Sequence, residues 1–115
     1  MTTTRGKISY IPISWTSDGS GDATVAIPDY RGFLFKSLKT WPSSDPAPTT
    51  HTVTLIDDET GGDILVGEGA DRSGTAADAP IIDYAETPIP GALTYTVAGA
   101  GDSKEGHAVL ALKAT

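Results

Sequence analysis

Apolar and polar residues alternate in short runs along this chain, and proline, glycine and aspartate separate the runs. A period of two marks a strand with one buried face. Residues 7–15 (KISYIPISW) form the first such run. Pro12 makes it an edge or bulged strand, because proline gives no amide to a ladder. Residues 17–22 are a turn in which Gly19 and Gly21 accommodate positive φ. Residues 23–27 follow, with Ala23, Val25 and Ile27 on one face and Thr24 on the other. Residues 30–41 (YRGFLFKSLKTW) are the longest strand candidate. Phe33 and Phe35 point one way, Leu34 and Leu38 the other. Two partly apolar faces suit a central strand of a packed sheet, or one that meets a partner.

Residues 41–50 hold Pro42, Pro46 and Pro48 and make a crossover that is neither helix nor central strand. Residues 51–56 (HTVTLI) alternate again, with Val53 and Leu55 inward. An acid-and-glycine turn then leads to a returning strand at residues 63–66. Residues 67–79 are polar and aperiodic, and a loop of this length in a small domain is usually functional or mobile. A short strand at residues 80–83, a second proline crossover at 86–91, and strands at 92–98 and 107–113 complete the pattern. In the last strand Ala108, Leu110 and Leu112 share one face, Val109 and Ala111 the other. About seven or eight short antiparallel strands with long proline-rich crossovers predict an all-β protein, a single β-sandwich of jelly-roll or immunoglobulin-like type.

Composition narrows the function classes. The 115 residues suit one domain, residues 7–115, behind a flexible N-terminal arm at residues 1–6. The chain has no cysteine, so thiolate chemistry and disulfides are excluded. Fifteen acids against eight Lys and Arg give a net charge of −7. That is the wrong sign for a nucleic-acid footprint. No apolar run is long enough for a membrane helix, and the opening MTTTRGK, with no apolar run behind it, is not expected to be a signal peptide.

Candidate chemistry is sparse. Asp57, Gly62 and Glu68 fall at the first, sixth and twelfth places of a calcium loop, with Glu59 third and Ile64 eighth. Asp57, Glu59, Asp63 and Glu68 are therefore the calcium candidates. Gly61 supplies no side-chain ligand at the fifth place, and the flanks are strands, so an acidic hairpin turn is the competing reading. His51 and His107 lack a spacing that suggests a metal site. Serine-nucleophile motifs are absent, and adjacent acids such as Asp57 and Asp58 point to opposite faces of a strand. No catalytic residue and no cofactor is expected. The eight aromatics suit one core, although an exposed platform of Trp15 or Trp41 would suggest sugar binding.

The order of motifs resembles small structural proteins from the head-gene modules of tailed bacteriophages. The matching pieces are LKTWPSSDPAPTT, HTVTLIDDETGGDILVGEGADRS, TPIPGALTYTVAGAG and GHAVLALK, between residues 33 and 113. The resemblance implies a non-enzymatic virion protein made in the host cytoplasm. It would be a capsid decoration (cement) protein that binds and stabilises the outer surface of the head. Its partners would be the major capsid protein and copies of itself, with no nucleic acid and no membrane. A neck or tail component and a carbohydrate-binding or adhesin-like module are the alternatives. The arm (Thr2, Thr3, Thr4, Arg5, Lys7) and the long loop (Asp71, Arg72) are the expected interface residues.

Overall fold

The computed structural model describes residues 7–44, 48–78, 80–82 and 87–114. Among these, seven strands form two antiparallel sheets and there is no helix. The strands are β1 (Ile8–Thr16), β2 (Ala23–Ile27), β3 (Leu34–Pro42), β4 (Thr52–Asp57), β5 (Ile81–Ile82), β6 (Leu93–Ala98) and β7 (Glu105–Lys113). One sheet has the order β1-β7-β3-β5, the other β2-β6-β4. β1 lies at an edge, one of the two placements that Pro12 allows.

Both sheets feed one core. Ile13, Trp15, Phe35, Leu38, Ala108, Leu110 and Leu112 enter it from the four-stranded sheet. Ile27, Val53, Leu55, Leu93, Tyr95 and Val97 enter it from the three-stranded sheet. Each fully buried Leu or Phe contributes roughly 1.5–3 kcal/mol relative to exposure, so these positions dominate stability.

Two details depart from the pattern in the sequence. Phe35 and Leu38 share the core face instead of opposing one another, because the register against β7 shifts between Phe35 and Ser37. A bulge adds one residue and inverts the alternation beyond it. Residues 63–66 form no returning strand; they run through turns, with only an isolated bridge from Asp63 to Ile56. Asp63 is the cause, since its Oδ1 accepts the amides of Leu55 and Leu65, both at 3.0 Å, and Oδ2 accepts that of Gly67. The side chain thereby takes a β4 donor that a strand carbonyl would otherwise use.

The long loop is also laid down firmly in its first half. His51 and Arg72 exchange backbone hydrogen bonds, and the Val53 amide donates to the Gly69 carbonyl. A Cβ on Gly69 would collide with Val53, and one on Gly74 with Pro48. Glycine is what lets this loop lie flat along β4.

Candidate functional site

The outer face of the four-stranded sheet, away from the core, follows from the register. Tyr10 pairs with Ala111, Ala111 with Ser37, and Ser37 with Ile82. These four residues form one cross-strand row over the whole sheet, about 14 Å wide at the usual strand spacing. Pro12, Val109 and Lys39 form the next row, and Ser14, His107 and Trp41 the third. Tyr10 is 69% exposed and Ile82 49%. With Ile8, they are three of the four large hydrophobic residues exposed among the described residues.

A shallow groove of about 570 Å³ runs over these rows, floored by Tyr10, Val109 and Ala111 and walled by Ala77 and Pro80. Lys39 and Trp41 line it too. A second hollow continues from Trp41 and Ala77 along Ser43 and Thr75. At the other edge a hollow beside β5 is lined by Ile82 and Val66. Val66 is the fourth exposed hydrophobic residue, and its φ of 46° is unusual for a β-branched side chain.

His107 is the most organised polar group on this face. One ring nitrogen lies 3.1 Å from Ser14 Oγ and the other 2.9 Å from Ser43 Oγ. Trp41 stacks on the ring with centroids 5.6 Å apart and planes at 25°. Both nitrogens are spent on hydroxyls, so no carboxylate orients the imidazole as a serine-hydrolase dyad requires. The arrangement fixes Trp41 and Ser43 at the lip of the groove. Sequence reasoning missed it, because Ser14, Trp41, Ser43 and His107 come from separate segments and carry no motif.

No protein-family model and no curated protein matches the chain. A solved structure described as "Cyanophage Pam1 capsid asymmetric unit" contains a chain that aligns over all of this one. The alignment covers 100% of this chain and 90% of that chain, at 18% identity and a TM-score of 0.46. A likeness this distant carries no argument about function.

The residues singled out in the sequence take other places. Asp57 Oδ1 accepts the Glu59 amide at 2.9 Å and Oδ2 the Thr60 hydroxyl at 2.6 Å. Glu59 turns toward Arg31, 3.6 Å away, and Asp63 is occupied by three amides. Glu68 is exposed, and its backbone carbonyl accepts a bond from Arg72. These acids shape turns, and no group of three metal-ligating side chains converges among the described residues. His51 is buried edge-on against Trp15, and its Nδ1–H donates to the Thr49 carbonyl at 2.8 Å. It therefore lies on the core side of the sheet that carries His107 on its outer side. Trp15 is buried, which leaves Trp41 as the tryptophan in a groove.

Thr2, Thr3, Thr4 and Arg5 lie outside the described residues. Lys7 is exposed at the start of β1, whereas Arg72 bridges His51 near Trp15 at the far end of that strand. Eight residues of strand put roughly 25 Å between these two ends, so Lys7 and the Asp71–Arg72 pair do not form one patch. Arg72 is half-buried, and its charge is felt by the Tyr95 hydroxyl in the core.

Proposed function

We propose that this chain is a non-enzymatic virion structural protein of a tailed bacteriophage, a decoration protein that binds the outer surface of the head. In this reading the two sheets close as a sandwich of jelly-roll or immunoglobulin-like type. The reading rests on the order of motifs between residues 33 and 113 and on one surface observation, not on the distant capsid likeness. That observation is the exposure of Tyr10 beside Trp41, Val109 and Pro80 in the groove on the outer face of the four-stranded sheet, with Ile82 exposed at the other end of the same row. Large apolar side chains exposed over a groove on one sheet face suit a contact with another protein. Many copies on a symmetric shell add avidity, so each contact can be weak.

Sedimentation with heads of the phage that encodes the chain tests this. The protein is expected to pellet with the heads in hundreds of copies per particle. A few copies per particle would place it in the neck or tail instead, and protein that stays in the supernatant would overturn the virion reading.

A further inference from the structure

The fold closes its sheet edges with one exception among the described residues. Along β4 the amides of Val53, Leu55 and Asp57 donate to Gly69, Asp63 and Gly62. β5 is two residues long, and β3 beyond it bonds to Asp78 and Thr87. In β1 the bonds from Ala114 to Lys7 and from Ser17 to Lys104 show that odd-numbered residues face β7. Pro12 therefore faces outward, and its missing amide interrupts that edge. β2 has no proline and no charge, and no backbone bond reaches it from outside its ladder with β6. Such an edge is a template for another strand. Because Val53, Leu55 and Asp57 turn away from β6, Thr52, Thr54 and Ile56 bond to it, and Leu93, Tyr95 and Val97 bond to β2. Ala23, Val25 and Ile27 take those bonds, so the N–H and C=O groups of Thr24 and Ala26 point out of the edge. The open window ends there. Asp22 donates its amide to Asp18 Oδ1 at 3.1 Å, and its carbonyl accepts the Asp18 amide at 2.8 Å. Pro28, at the other end, has no amide.

We propose that a second copy of this chain adds to this edge, β2 against β2, antiparallel about a two-fold axis at Val25. Thr24 then pairs with the partner's Ala26, and Ala26 with the partner's Thr24. Every open donor and acceptor of both windows is matched, in four hydrogen bonds. Val25 meets the partner's Val25, and Ala23 the partner's Ile27, on the core side, where Ala23 and Val25 are only half-buried in one copy. The two three-stranded sheets become one of six strands. A longer foreign strand would outrun the window and leave its own groups unmatched beside Asp22 and Pro28, whereas a second copy stops where the first does. Asp22 lies beside the turn that holds the partner's Asp29, which Arg31 approaches to 3.7 Å. With −7 on each copy, charge opposes the pairing and salt strengthens it. The strand pair is small beside a standard interface, so the dimer is weak. The edge belongs to the three-stranded sheet, so the inference does not depend on the groove.

Sedimentation velocity of the full chain between about 10 μM and about 1 mM, the range of weak association, tests the proposal. Dimers are expected to grow with concentration and with salt. Ala26→Pro removes one outward amide from each copy and keeps the bonds to β6. It should weaken the dimer at least tenfold, since two of the four hydrogen bonds are lost. The chain has no cysteine, so Val25→Cys sets two thiols opposite each other across the axis, at a separation that suits a disulfide. Copper-catalysed air oxidation should link that variant into dimers and leave Ala23→Cys, out of register with its own copy, unlinked. Should Ala26→Pro fail to fold, the two cysteine variants decide the matter. A chain that stays monomeric at every concentration and salt would overturn the proposal. So would dimers that Ala26→Pro leaves unchanged, dimers that salt dissolves, or equal cross-linking of the two cysteine variants. Dimerisation and head sedimentation are separate readouts: dimers that form while heads are not bound would leave the edge assigned and the virion reading wrong.

Discussion

Trp15 lies directly over Gly106, its register partner on β7, so that a Cβ on Gly106 would stand 2.6 Å from Cε2 of the indole. The indole occupies the space that any side chain at position 106 would fill, and it meets the His51 ring in a T-shaped contact. Gly106→Ala is therefore an overpacking substitution. We expect a loss of about 1–3 kcal/mol, a fall of roughly 10 °C in a domain of this size. Thermal unfolding followed by near-UV dichroism checks it, and an unchanged midpoint would mean that Trp15 repacks freely.

Tyr95 is fully buried, and its hydroxyl has no hydrogen-bond partner among the described residues. Burial pushes that hydroxyl well above its ordinary range, with the Arg72 charge opposing the shift. The folded state thus keeps the proton longer than the unfolded chain does. Its contribution to stability is full below pH 10 and is lost as pH rises beyond it. Tyr95→Phe should be as stable as the parent or more so at pH 7, by about 1 kcal/mol, and should lose less stability between pH 9 and 11. A marked drop at pH 7 would show that the hydroxyl is engaged.

Asp63 holds three amides at the end of β4, a pattern that no spacing rule finds. Asp63→Ala should cost about 2 kcal/mol or more, since bonds to a charged acceptor are the stronger kind. Because Asp57 and Asp63 are already bound by N–H and O–H donors, millimolar calcium should move the melting temperature by less than about 1 °C. A calcium-dependent rise would return these acids to the list of metal ligands.

Val66 couples strain to exposure. A β-branched residue in the left-handed region costs about 1 kcal/mol or more, and at 81% exposure Val66 recovers little of that by packing. Val66→Asn should raise the melting temperature while weakening attachment to a partner, because Val66 and Ile82 share a hollow at the β5 edge. A fall in stability would show that the side chain is packed.

Much of this fold was legible because proline and glycine punctuate it so regularly. The strand at residues 23–27 was delimited to the residue, and Pro12 narrowed β1 to an edge or a bulged strand, of which the structure has the edge. What alternation could not find was the extra residue near Lys36, since a bulge leaves no compositional mark yet turns Leu38 inward beside Phe35. The path of residues 63–72 was hidden for a related reason: it depends on one carboxylate and on close approach at Gly69. The groove was half visible, in the apolar second faces of β3 and β7. Its assembly needed the register that aligns Tyr10 with Ile82 across about 250 Å of intervening chain contour.

The central claim is that the outer face of the four-stranded sheet attaches this protein to a phage head. Sedimentation of heads with the parent chain and with Tyr10→Asp, both checked for equal melting temperature, tests it most directly. The account predicts that the parent pellets with the heads and that Tyr10→Asp stays largely in the supernatant. Equal pelleting of the two proteins would contradict it.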